Sequence, residues 1–254
     1  HIDIDQNTVI TNLSIPKSSR FDIADGKTLS ISESSEIPVG QIMEIFGEGS
    51  GNLSITNNLT ISGTMKMNAV DSIFENGNLI FNNGVLDLDE DATISSEITL
   101  SDNASLDLAN GKQLNVTKVF EIPQNLKMEM KGSGGGTIIL ADAINITGIL
   151  QFNSPDYTVS NGKIKLNEGS IIDVDYRTII DSDIIMQGDT TIDIVQGATL
   201  EYRGEAVDLL DFQLTFLGDG TLLNGNAILL TSEGSLVVFA GDTTIALIEV
   251  TGDS

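Results

Sequence analysis

The sequence predicts an all-β fold: a single-stranded parallel β-helix, or β-solenoid, of about twelve turns of roughly 21 residues with three strands per turn. Three observations predict it. A triplet of inward apolar, outward and inward apolar residues recurs twelve times at spacings of 19 to 22 positions. A longer period lies above the first, because Ala24-Asp25-Gly26-Lys27 returns as Ala109-Asn110-Gly111-Lys112, an offset of 85 from Gly26 to Gly111. The apolar residues are mostly Ile, Leu and Val, aromatics make up only 5% of the chain, and no capped helical pattern is present.

The triplets define the first strand of each turn. They begin Ile2-Asp3-Ile4, Phe21-Asp22-Ile23, Met43-Glu44-Ile45 and Met65-Lys66-Met67, and continue Leu86-Asp87-Leu88, Leu106-Asp107-Leu108, Met128-Glu129-Met130 and Leu150-Gln151-Phe152. The series closes with Ile172-Asp173-Val174, Ile192-Asp193-Ile194, Leu214-Thr215-Phe216 and Leu236-Val237-Val238. Two further short alternating segments follow each triplet, such as Leu29-Ser30-Ile31 with Ile37-Pro38-Val39, and Leu53-Ser54-Ile55 with Leu59-Thr60-Ile61. Three strands per turn imply a roughly triangular cross-section.

Between the strands stand Asp25-Gly26, Asn76-Gly77, Asn83-Gly84, Asn110-Gly111, Asn161-Gly162 and Asn224-Gly225. Such pairs tolerate positive φ and suit hairpins as well as corners, but hairpins do not explain one 20-residue period. Pro38 and Pro123 are equivalent residues within apparent strands, so a bulge or break in the ladder is expected there. Stacked at about 4.8 Å per turn, a dozen turns make a rod on the order of 58 Å long.

The glycines carry the longer period through the chain. Gly47, Gly49, Gly51 and Gly63 return as Gly132, Gly134, Gly136 and Gly148, and a third copy is carried by Gly197, Gly218, Gly220 and Gly234. The chain therefore reads as one unit, 1–254, made of three repeats covering 1–85, 86–171 and 172–254. After Gly252 the pattern expects another repeat to start, so the expectation is a length of a longer array or a subunit that stacks end to end with copies of itself. The glycine runs at Gly47 and Gly132 precede no helical pattern, which makes them turns and not phosphate cradles.

Charge narrows the function classes. A formal charge of −25 disfavours nucleic acid and anionic membrane surfaces as partners, and favours cations and cationic surfaces. No segment is long and apolar enough to span a bilayer, and no leader pattern opens the chain. Cysteine is absent, and the single histidine is His1. With no internal His, no Cys and no Gly-x-Ser-x-Gly elbow, no catalytic or cofactor-binding residue is assigned and the expectation is that the chain is not an enzyme.

The outward position of the triplets, read up the stack, forms an acidic ladder. Candidate metal ligands are Asp3, Asp5, Asp22, Asp87, Asp89, Asp107, Asp173, Asp175 and Asp193, a carboxylate set of the kind that hard cations such as calcium prefer. The competing account is a solvated acidic face that keeps the rod soluble. Asp173, Asp175, Arg177, Asp193 and Arg203 are the nearest approach to the carboxylate-plus-arginine sets of polysaccharide-cleaving β-helices. Ile185, Leu229 and Val237, with Ile80 and Ile139, are apolar where outward residues belong, so an apolar strip for lateral contacts is expected, unless a bulge turns them inward. Six Asn-x-Ser/Thr sequons, including Asn12, Asn103 and Asn145, allow glycosylation without arguing for it.

The Leu-Asp-Leu and Leu-Ser-Ile triplets, the Asn-Gly turns and the absence of cysteine resemble the parallel β-helix passenger and stalk repeats of microbial surface proteins, among them autotransporter and haemagglutinin-type adhesins. The resemblance covers the whole chain and implies an extracellular, cell-surface rod that extends, adheres or assembles. The functional expectation is thus a structural or adhesive surface protein, either a repeat segment or a filament or surface-layer subunit. The alternative is a carbohydrate-binding or carbohydrate-active β-helix working on cell-surface glycans.

Overall fold

The structure, a computed structural model, describes residues 1–224, 228–230, 234–242, 244–245 and 248–250. It is a right-through stack of parallel strands, with no helix among the described residues and so none long and apolar enough to cross a membrane. One sheet holds twelve strands in simple chain order, from Ile2–Ile4 and Ser19–Ile23 to Gln213–Leu217 and Leu236–Phe239. Twelve strands bound eleven complete turns, and the chain is a parallel β-solenoid.

The other two faces share a sixteen-stranded sheet, and a separate three-stranded sheet, Val207–Asp208, Ile228–Leu230 and Ile248–Val250, follows towards the far end. The two faces merge because four strands, Ser72–Phe81, Ala92–Leu100, Tyr157–Leu166 and Thr178–Met186, run round the corner without a break. Ser72–Phe81 pairs with Asn52–Ile55 through its first half and with Asn58–Ile61 through its second. The corner itself is Asn76-Gly77, with φ of 61° and 47°, and Asn161-Gly162 repeats it at 58° and 52°. The register shifts at both places, between Glu75 and Asn78 and between Ser160 and Lys163. These Asn-Gly pairs therefore turn a parallel strand and close no hairpin.

Pro38 ends a strand and does not interrupt one. The strand Ser35–Ile37 stops before it, Gln41 N–H donates to its carbonyl at 3.0 Å, and Val39 lies out in solvent at 77% exposure. Pro123 does the same after Phe120–Ile122, accepting from Leu126 N–H at 3.2 Å. A residue without an amide donor belongs at that point, where the ladder stops.

Period-two alternation sends one residue of every pair into the column. The inward residues Ile23, Ile45, Met67, Leu88, Leu108, Met130, Phe152, Val174 and Ile194 are at most 1% exposed and follow one another up the first face. Each contributes about 1.5–3 kcal/mol by leaving water, and each touches mainly the turns above and below, so stability accumulates turn by turn. Two tyrosines occupy the same interior, and both find backbone partners. Tyr157 Oη accepts from Leu108 N–H at 3.0 Å and donates to the Lys131 carbonyl at 2.6 Å. Tyr202 Oη accepts from Ile184 N–H at 3.2 Å and donates to the Glu205 carbonyl at 2.6 Å.

Candidate functional site on the carboxylate face

The outward row of the first face starts as the triplets predict. Asp3 lies in register with Asp22, Asp87 with Asp107, and Asp173 with Asp193. After each pair the register moves by two residues. Asp22 meets Phe46 and Arg20 meets Glu44; Asp107 meets Lys131 and Ser105 meets Glu129; Asp193 meets Leu217 and Thr191 meets Thr215. An even shift keeps outward residues outward, which is why the alternation hides it. The continuous acidic ladder expected from spacing is corrected to three carboxylate pairs, each followed by an aromatic, basic or apolar residue.

A glycine marks every step. Gly47, Gly132 and Gly218 have φ of 151°, 140° and 75°. A Cβ there would meet Oδ1 of Asp22 at 3.0 Å, of Asp107 at 2.8 Å and of Asp193 at 2.9 Å. The second carboxylate of each pair thus lies over bare backbone, in space that any side chain would close.

The three pairs are compensated differently. His1 Nε2 lies 2.6 Å from Asp3, and ligand atoms of His1, Asp3 and Asp22 all fall within 4.8 Å of one another, the only such group of three among the described residues. Lys66 Nζ bridges Asp87 at 3.0 Å and Asp89 at 2.7 Å, and the hydrogen bond to Asp89 raises the lysine's pKa. Next to Asp173 stands Gln151, the counterpart of Lys66. Its Nε2 donates to Asp175 at 2.8 Å and its Oε1 accepts from Lys127 at 2.8 Å. Burial, then the charges of Asp175 and Asp193, push the Asp173 carboxyl up to about 6. Burial and Asp87 also raise Asp107.

Of the candidate ligands, the structure brings together Asp3 with Asp22, Asp87 with Asp107, and Asp173 with Asp193, while Asp89 and Asp175 face Lys66 and Gln151 and Asp5 stands exposed. Spacing alone passed over His1 as a terminal residue. The signal was in the alternation, since a residue two places before Asp3 shares its face.

Asp173, Asp175, Arg177, Asp193 and Arg203 do not converge. Arg177 opens the next face and binds Asp156 at 2.7 Å and Glu201 at 2.8 Å, and Arg203 binds Glu201 at 2.6 Å. The arginines thus form a surface ion ladder of their own, away from the aspartate pair.

The apolar strip is also not assembled. Ile185 points outward and half-buried beside Lys165 on the third face, as does Ile80 five turns earlier, whereas Ile139 belongs to the second. Val237 pairs with Leu214, one residue off the triplet alignment, so it turns inward and packs against the core. A one-residue slip exchanges the two sides of a strand. Leu229 pairs with Asp208, and its side chain lies outside the described residues.

No family model, no curated protein and no solved structure matches this chain.

Proposed function

We propose that this chain is a structural or adhesive rod of an extracellular surface, a repeat segment or self-assembling filament or surface-layer subunit of the kind that microbial adhesin stalks resemble. The observation that carries this reading is the unbroken ladder of twelve strands in chain order, built from turns of nearly equal length. Catalytic clefts on such scaffolds are walled by long loops, and the described turns throw out none. The arginines that a polysaccharide-cleaving site would need are engaged with Asp156 and Glu201. The chain is accordingly read as non-enzymatic.

Electron microscopy of the purified chain over a range of concentrations tests the reading, together with a screen for polysaccharide turnover. Rods that lengthen or join as concentration rises, with no turnover, are expected. Rods of one fixed length at every concentration, or measurable glycan cleavage, would overturn it.

A further inference from the structure

Turn length varies along the first face. Leu86 pairs with Leu106 and Ile172 with Ile192, 20 residues on, but Ala104 pairs with Met128 and Thr190 with Leu214, 24 residues on. These long turns carry the second and third register steps. A turn with four more residues than the one before it encloses a wider cross-section. The third-face ladder thins at the same two places. Ala92–Leu100 meets Phe120–Ile122 only through Ile98 and Phe120, and Val207–Asp208 belongs to a sheet separate from that of Thr178–Met186.

The widened column is not filled. One void lies inside the first of these long turns, with Ile98, Leu106, Leu114, Val116 and Met128 among its walls. A second lies inside the other, walled by the residues 86 positions on, Ile184, Ile192, Leu200, Tyr202 and Leu214. The recurrence ties the void to turn geometry and not to one side chain, since Val116 becomes Tyr202 without closing it.

Each void leaves about 20 Å³ to the centre of a water-sized sphere, and no polar atom faces either space. That volume exceeds the roughly 10–15 Å³ that one water needs, but a water there would find none of the about two to four polar partners that hold it. The hydroxyl of Tyr202 is already engaged with Ile184 and Glu205. Both spaces therefore stay dry, and wall atoms that face a dry void lack dispersion partners on one side. A small apolar occupant restores those contacts without breaking a hydrogen bond, and dry cavities lined by Leu, Ile and Phe take up xenon in this way.

We infer that these two long turns each hold a binding site for one small apolar molecule, a nonpolar gas or a short hydrocarbon, admitted through the thinned third face. The sites lie inside the column, so they do not depend on whether the rod adheres or assembles.

Xenon is the probe. The full chain, isotope-labelled at its isoleucine methyls, is titrated with xenon under pressure and followed by methyl NMR. The Ile98 and Ile184 methyls should shift and saturate, while those of Ile55 and Ile61, buried between Met43 and Met65 and lining neither void, should not move. Each void is the control for the other. Val116→Leu fills the first and should weaken the Ile98 response about tenfold while leaving that of Ile184, and Val207→Leu should do the reverse. An equal or higher melting temperature shows that a filled variant keeps its fold, and either variant suffices if the other does not. Absence of a saturable shift at Ile98 or at Ile184, equal shifts at all four isoleucines, or an unchanged response at the filled void of a folded variant overturns the inference.

Discussion

Gln151 stands against Asp173 in the parallel ladder as Lys66 stands against Asp87, so Asp173 and Asp175 lack the ammonium that bridges Asp87 and Asp89. Burial and two neighbouring carboxylates then hold the Asp173 carboxyl near 6. The folded chain binds that proton more tightly than the unfolded chain does. Its stabilising contribution is full below the ordinary aspartate pKa and is lost as pH rises through about 6.

The Asp173→Asn variant isolates this contribution. Unfolding by urea at pH 4.5 and pH 7.5 should show the wild type losing about 1–2 kcal/mol more than the variant across that interval, a figure reduced for the group's partial exposure to water. Equal pH dependence in the two proteins would contradict the assignment.

Restoring the cation should have the opposite effect. Gln151→Lys places an ammonium where Lys66 has one, and is expected to return Asp173 toward the usual carboxylate range and to add about 0.5–1 kcal/mol at pH 7.5. Carboxyl chemical shifts followed through a pH titration read the first effect directly, and Asp87 serves as the internal reference.

The hydroxyl of Tyr157 joins Leu108 and Lys131 beside the second register step. Tyr157→Phe removes both hydrogen bonds and takes from the buried Leu108 amide the hydroxyl it donates to, so a loss of about 1–3 kcal/mol in urea unfolding is expected. Ser72 is the counterpart in the first copy, and its buried Oγ has no partner. Ser72→Ala should therefore be neutral or stabilising by up to about 1 kcal/mol, and a clear destabilisation would show that the hydroxyl is satisfied in solution.

Gly132 carries both a positive φ of 140° and the carboxylate of Asp107 at 2.8 Å from any added Cβ. Gly132→Ala should cost about 1–3 kcal/mol through backbone strain and displacement of that carboxylate. Gly111, at φ 73° with open space around it, meets only the first penalty, and Gly111→Ala should cost about 1 kcal/mol. A smaller effect at Gly132 than at Gly111 in thermal melts would count against the packed carboxylate.

Fold and inward column were legible because side chains alternate with period two along a strand and the triplets return once per turn. Ile23, Leu88 and Ile194 are buried where the triplets put them, and Asp3, Asp87 and Asp173 face Asp22, Asp107 and Asp193 as spacing implied. Sequence by itself therefore determined a parallel solenoid, its turn length and the face on which its carboxylates stand. Register was decided only in the assembled stack. A two-residue shift leaves every outward residue outward, so nothing in the alternation records that Asp22 meets Phe46 in place of Glu44. A one-residue slip does change sides, yet Val237 and Val238 are equally apolar, and only pairing with Leu214 sends Val237 inward. Backbone hydrogen bonds between neighbouring turns choose among such registers through contacts far apart in the chain. The acidic ladder became three pairs through that choice.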